Sequence, residues 1–453
     1  MKKFVIWTAI VFGVLICVSA LAGLAFWSYS GFAKSSSDVG QQYADWQKNG
    51  LPTLASEIEG PPIPADTNAY LAFQAILDKQ GGASKGVDLP KEISSNKLWD
   101  TPAAAQFLLE RQPELNAIAA AAAKPNYQTS RNWDEGSWTL MPELACYKNW
   151  TKMLCADAER RAGAGDAKGA IDRLKTARLL ARHASKEPTL IGYLVAVTID
   201  RVILRSCGVT ASALAEDSQF LLTMQKMLEQ TAWAEDFPRT FRGEAYMMFA
   251  TMRNMSFSQY KEMENLESEG PARPRNLQKS GLPKGILEKA VLAEHLRFWN
   301  EFYPRIAKGE KGRGLGKDME MRMTAMEMSR SVPENMASSS VSIFSGVFTA
   351  TERLDTERLA VDAYLHVLLH RNRTGQWPPT LTEAGVPAEK NHDYVTGSNL
   401  GYRISGKGMR VWHAGQNSRD DGGITRDEAR AKGMSSSDSD AAFQYPWPKG
   451  ANP

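Results

Sequence analysis

Residues 142–203, PELACYKNWTKMLCADAERRAGAGDAKGAIDRLKTARLLARHASKEPTLIGYLVAVTIDRVI, decide the fold class. Leu144, Tyr147, Thr151, Leu154 and Ala158 recur at the three- and four-residue spacing that stacks side chains on one helical face. Gly163-Ala164-Gly165-Asp166 interrupts that run, and Asp166 stands where a helix N-cap is wanted. Beyond it Ala170, Leu174, Ala177 and Ala181 make a second apolar stripe. Pro188 predicts a third helix start, carrying Leu190, Leu194, Val197 and Ile203. Short turns between apolar stripes mean neighbouring helices that pack together.

The same period extends outward. It predicts helices from Ala69 to Leu77 capped at Asp66-Thr67, over 102–124 with a break near Pro113, and from Phe220 to Trp233. Further helices are expected from Phe237 to Tyr260, Ile286 to Ile306 and Thr351 to Arg373. Residues 125–141 hold Tyr127, Trp133 and Trp138 among polar residues and read as an ordered loop laying aromatics onto helices. Ser331 to Ser342 reads as a linker, and Gly312-Arg313-Gly314-Leu315-Gly316 as a flexible basic loop. Strand signals are confined to residues beyond 390: Tyr394 to Gly397, Gly401 to Ile404 and Met409 to Trp412 alternate around glycine turns. The expected class is mainly α, closed by a small C-terminal module of helix plus antiparallel hairpin.

The chain has 453 residues, 43% hydrophobic and 23% charged, which supports several globular cores. Its net charge is only +3 and its basic residues are dispersed, so nucleic acid is set aside as a partner. Residues 4–27, FVIWTAIVFGVLICVSALAGLAFW, carry no charge and as a helix would span roughly 36 Å, enough for a bilayer core. Lys2 and Lys3 precede the run, so the N-terminus is expected in the cytoplasm and the remainder outside it, in the periplasm. Phe4, Trp7, Leu15, Leu24 and Trp27 are the expected residues of an anchor in the lipid bilayer. Ala20-Leu21-Ala22 offers an alternative, cleavage as a signal peptide after Ala22; the long apolar run favours a retained signal-anchor. The expected organisation is a tip and anchor over 1–34, a helical extracytoplasmic domain over 35–340 with a sub-boundary near 125–141, and a tail over 341–453.

That tail runs as a helix, then Gly375-Gln376-Trp377-Pro378, Asp393-Tyr394-Val395-Thr396-Gly397 and Tyr402-Arg403. It closes on the acidic turn Gly415-Gln416-Asn417-Ser418-Arg419-Asp420-Asp421-Gly422-Gly423. The order resembles the C-terminal half of bacterial type II secretion pseudopilins, over about a fifth of the chain. The whole resembles helix-rich, membrane-anchored bacterial proteins of unknown function, and the turn at Gly165-Asp166 resembles a single tetratricopeptide-type hairpin. The resemblance implies a pilin-like fold for the tail, envelope or secretion-assembly proteins as partners, and calcium at the acidic turn. The N-terminus, MKKFVIWTAIV, lacks a prepilin-peptidase site and an acidic residue in the span, which departs from that family.

Hard calcium wants carboxylate and carbonyl oxygens, and Asn417, Asp420 and Asp421 are the candidate metal ligands. His366 and His370, with Asp362 one turn earlier, share helical spacing that suits zinc, yet no H-E-x-x-H is present. A solvated polar face explains them better. Met319, Met323 and Met326 share one helical face, as core packing requires. Cys146 and Cys155 on one helix lie too far apart to pair, while either one is free to pair with Cys207. No nucleophile elbow, P-loop or dinucleotide motif occurs, so a binding or structural role is expected over catalysis. The alternatives are a hydrolase using Asp134, Glu135 and Glu143 beside the aromatic loop, or a component of a secretion or pilus-like assembly.

Overall fold

The structure, a computed structural model, describes residues 34–447 apart from 84, 86–87, 95–100, 230–235, 257–258, 260–281, 283–284, 311, 330, 339–343, 407 and 436. The expected anchor over 4–27 lies outside the described residues. Among the described residues no helix is long and apolar enough to cross a membrane.

The chain is mainly helical, with one small antiparallel sheet near its C-terminus. In chain order the principal helices are α1 (34–48), α2 (Ala69–Lys79), α3 (Pro102–Glu110), α4 (Gln112–Ala122), α5 (Glu143–Gly163), α6 (Ala167–Ser185) and α7 (Leu190–Ala213). They continue with α8 (Ser218–Glu229), α9 (Phe237–Asn254), α10 (Ile286–Ala307), α11 (Arg313–Glu327), α12 (Phe344–Thr374) and α13 (Arg426–Ala431). Two compact units interleave along the sequence. One takes residues up to Gly60, Arg131–Thr139 and Phe241–Ser345; the other takes Pro61–Ser130, Leu140–Thr240 and Gly346 onward. Residues 35–340 thus contribute to both units.

In the second unit α5, α6 and α7 pack on one another through the stripes read from sequence, and Leu144, Tyr147, Leu154, Ala158, Ala170, Leu174, Ala177, Ala181 and Ile203 are buried. Asp166 caps α6 by accepting from the Gly169 N–H at 2.8 Å. The cap of α7 is Thr189, whose hydroxyl accepts from the Gly192 N–H at 3.0 Å, one residue beyond the expected Pro188 start. Likewise α2 is capped by Asn68, bonded to the Tyr70 N–H, in place of Asp66-Thr67. Within this core Asp157, fully buried, accepts from Arg160, Arg161 and Arg173, and those guanidinium hydrogen bonds hold its carboxyl below the usual range despite desolvation. Burying this charge is sustained only because three cations surround it.

The aromatic loop behaves as expected. Tyr127 stacks on His183 with ring centroids 5.6 Å apart, and its hydroxyl lies 3.4 Å from that of Tyr147. Tyr147 in turn stacks on Trp150 and meets Phe73 at 5.1 Å. Each such fully buried large side chain contributes roughly 1.5–3 kcal/mol by removal from water.

The C-terminal module belongs to the same unit. Strands β1 (Gly401–Ser405), β2 (Gly408–His413) and β3 (Ala441–Tyr445) form an antiparallel sheet in that order, with Tyr402 opposite Val411 and Val411 opposite Phe443. The expected hairpin is therefore the first two strands of three, and Tyr394–Gly397 is a turn flanked by the Asp393–Ser398 bridge. Phe443 and Trp447 close over Gly208 of α7, where any Cβ would collide with both rings. Tyr364 of α12 donates to the Gln444 carbonyl at 3.1 Å, and Arg371 lies over Trp377 and Tyr445.

In the first unit Trp46, Phe241, Phe249, His295 and Trp299 fill a core between α1, α9 and α10. Asp134 ties the 131–139 segment to α9, accepting from Tyr246 Oη at 2.6 Å and Arg253 at 2.8 Å. Gly136 adopts φ +57° against Thr251 and the Met247 carbonyl, a contact no larger residue tolerates. Met319, Met323 and Met326 are buried on α11 while Met321 is 64% exposed, as the one-face reading requires. Two expectations fail here. The basic glycine segment 312–316 is the start of α11, and the first part of the expected serine linker is a helix, Val332–Ser338.

Candidate functional site

A concavity of the second unit is built by helical periodicity. Lys175, Arg178, Leu179 and Arg182 fall at i, i+3, i+4 and i+7 on α6, and Gln219, Leu222, Thr223 and Lys226 repeat that spacing on α8. Each set is one face of its helix, and the two faces with Met227 line an open groove of about 670 Å³. The size lies within the range of small-molecule sites.

The lining carries four cations and no carboxylate. Lys175, Arg182 and Lys226 stand exposed at the rim, whereas Arg178 is buried. Leu179 and Met227 supply an apolar wall, and Leu222 is half exposed above it. Like charges gathered over a low-dielectric wall focus a positive potential that attracts anions. Gln219 and Thr223 add neutral polar groups to the lining.

The residues singled out from sequence sit elsewhere. In the acidic turn, Asp420 Oδ1 accepts from Trp412 Nε1 and from the Gly422 N–H, both at 2.8 Å. Asn417 Nδ2 donates to Asp421 Oδ2 at 2.8 Å, while Asn417 Oδ1 accepts from the Arg419 N–H. Asp440, distant in sequence, joins them: its Oδ2 accepts from the N–H groups of Asp421 and Gly423. Desolvation first, then the charges of Asp420 and Asp421, push the Asp440 carboxyl up to about 6. The turn is thus held by its own donors, and among the described residues no group of three His, Cys, Asp or Glu converges to hold a metal ion.

Asp362 does not lie on a solvated face. It is buried, accepting from Gln225 Nε2 and Lys390 Nζ, each at 3.0 Å, with His366 at 4.0 Å. Of the acids considered for hydrolysis, Asp134 and Glu135 belong to the first unit and buried Glu143 to the second. Cys146, Cys155 and Cys207 are buried free thiols, and burial pushes that of Cys207 up to about 12. The cationic groove was absent from the sequence reading. The signal was present on each helix, but its two halves are some forty positions apart and meet only through packing.

No known protein family, curated protein or solved structure matches the chain.

Proposed function

We propose that this chain is a membrane-tethered, extracytoplasmic binding protein that takes an anionic amphiphile in the groove between α6 and α8. The observation that carries the reading is the lining itself: Lys175, Arg178, Arg182 and Lys226 stand beside Leu179, Leu222 and Met227, and no Asp or Glu is among the lining residues. An acid headgroup matches the cations and a short apolar chain matches the wall. The uncharged run at 4–27 supports the tether, keeping the groove near the bilayer where such ligands partition.

Thermal unfolding with decyl phosphate and with neutral decyl maltoside, both below micelle formation, tests the reading. Decyl phosphate raises Tm by several degrees and the maltoside does not. Equal responses to both reagents would reduce the groove to a nonspecific apolar surface.

A second reading, a component of a secretion or pilus-like assembly, draws on the C-terminal order of a long helix, α12, followed by the three-stranded sheet. Cross-linking in the native membrane that recovers stoichiometric envelope partners supports it; recovery of the lone chain counts against it.

A further inference from the structure

A second, smaller cavity lies in the C-terminal module, about 110 Å³ in volume. Arg201 of α7, Arg353 of α12 and Arg426 at the start of α13 converge on it, together with His413 at the end of β2 and Asp440 at the entry to β3. His413 is only 4% exposed and Asp440 only 2%. Neither is fully satisfied: His413 Nε2 and Asp440 Oδ1 have no hydrogen-bond partner. Buried polar atoms in that state are uncommon in native folds and point to a ligand or solvent that completes them.

The tautomer of His413 is fixed by its surroundings. Nδ1 lies 2.9 Å from the Ala414 carbonyl, which can only accept, so Nδ1 carries the hydrogen. Burial holds the ring pKa below its ordinary value against the opposing charges of Glu357 and Asp393, with Arg201 adding to the depression. The ring is neutral, and Nε2 presents a lone pair. Asp393 is engaged elsewhere, its Oδ2 accepting from the Ala414 N–H and its Oδ1 from the Val395 N–H. Arg201 also pairs with Glu357 at 2.9 Å, and Arg353 donates to the Gln416 carbonyl at 2.7 Å, so both guanidiniums are fixed in place at the cavity wall.

The ligand must then satisfy two demands at once. Guanidinium groups ask for anionic oxygens, whereas His413 Nε2 and the carboxylate oxygen of Asp440 ask for a donated hydrogen. We infer that the cavity binds inorganic hydrogen phosphate, its anionic oxygens on Arg353, Arg426 and Arg201 and its P–OH donated to His413 Nε2 or Asp440 Oδ1. Sulfate is fully ionised at neutral pH and has no hydrogen to give, so it leaves both buried acceptors facing an anion where hydrogen phosphate satisfies one of them. A large ester substituent exceeds the cavity's volume and replaces one of the phosphate oxygens that the three guanidiniums and the two acceptors share.

The site is independent of the α6–α8 groove. Isothermal titration of the full chain with sodium phosphate, sodium sulfate and phenyl phosphate at matched ionic strength tests it. Phosphate binds at one site per chain, and sulfate and phenyl phosphate bind at least tenfold more weakly. Arg426→Gln, a change at a partly exposed position that leaves His413 and Asp440 in place, weakens phosphate at least tenfold, and the unchanged melting curve of the variant shows that it is folded. In the proton spectrum the His413 ring resonances move on phosphate addition and stay fixed on sulfate addition. Absence of phosphate binding, equal binding of sulfate, or equal binding of phenyl phosphate would each overturn the assignment. So would a folded Arg426→Gln variant that binds phosphate as the unaltered chain does.

Discussion

At the scale of single residues the buried charges carry the sharpest consequences. Asp157 is enclosed by Arg160, Arg161 and Arg173, and the last two also donate to Gln112 Oε1. Removing the carboxylate charge strands cations in a region from which water is largely excluded. Asp157→Asn is therefore expected to lower stability by about 3 kcal/mol, read as a shift of the urea midpoint. A change below about 1 kcal/mol would show that the arginines find solvent as readily as they find Asp157. The polar character of such a residue is visible in sequence, but its burial is not. Asp157 lies one position from the apolar stripe of α5, and Asp362 likewise follows Val361; each was drawn inside by partners on other elements.

Elements differ in how far local sequence specifies them. The stripes of α5, α6 and α7 were legible because apolar spacing, a capping Asp166 and a glycine break all agree within a few residues. Strand β3, AAFQY, carries no turn signal or strict alternation of its own and exists because β2 offers it an edge. Serine and glycine misled the reading of 312–316 and of Val332–Ser338, where tertiary packing of Leu315 and Met336 outweighs weak helix propensity. The groove was hidden for a related reason. Cations at i, i+3, i+4 and i+7 look like an ordinary solvated face until a second helix is laid alongside. The acidic turn gives the prediction proper to this scale. Its carboxylates accept from Trp412, Gly422 and Asn417, and the Gly423 N–H donates to Asp440, so a chelator is expected to leave Tm unchanged. A fall of several degrees with EDTA, restored by calcium alone, would make Asn417, Asp420 and Asp421 a metal site after all.

For the molecule as a whole, buried neutral histidines govern the response to acid. Burial lowers the pKa of His183 to about 4 and of His295 to about 3, from an ordinary 6.5. A depressed histidine favours the folded state fully above pH 6.5, and that contribution is lost as pH falls from 6.5 towards the folded value, because the unfolded chain takes up the proton first. His183 alone accounts for roughly 3 kcal/mol by pH 4. Asp440, raised to about 6, opposes this in part, since its protonation favours the fold as pH drops. Glu428, held at about 2 first by the Arg410 guanidinium, adds a further loss below pH 4.5. Urea midpoints at pH 7, 5.5 and 4.5 should therefore decline in that order; a flat series would mean that these histidines reach solvent.

The central claim is that the α6–α8 groove recognises an anionic headgroup through its cations. Calorimetric titration of decyl phosphate into the full chain, beside a Lys175→Glu/Lys226→Glu variant altered only at exposed rim positions, tests it most directly. The unaltered chain should bind one equivalent with an affinity that weakens as salt is raised, and the folded variant should lose at least ten times in affinity. Equal affinity for chain and variant, independent of salt, would contradict the claim.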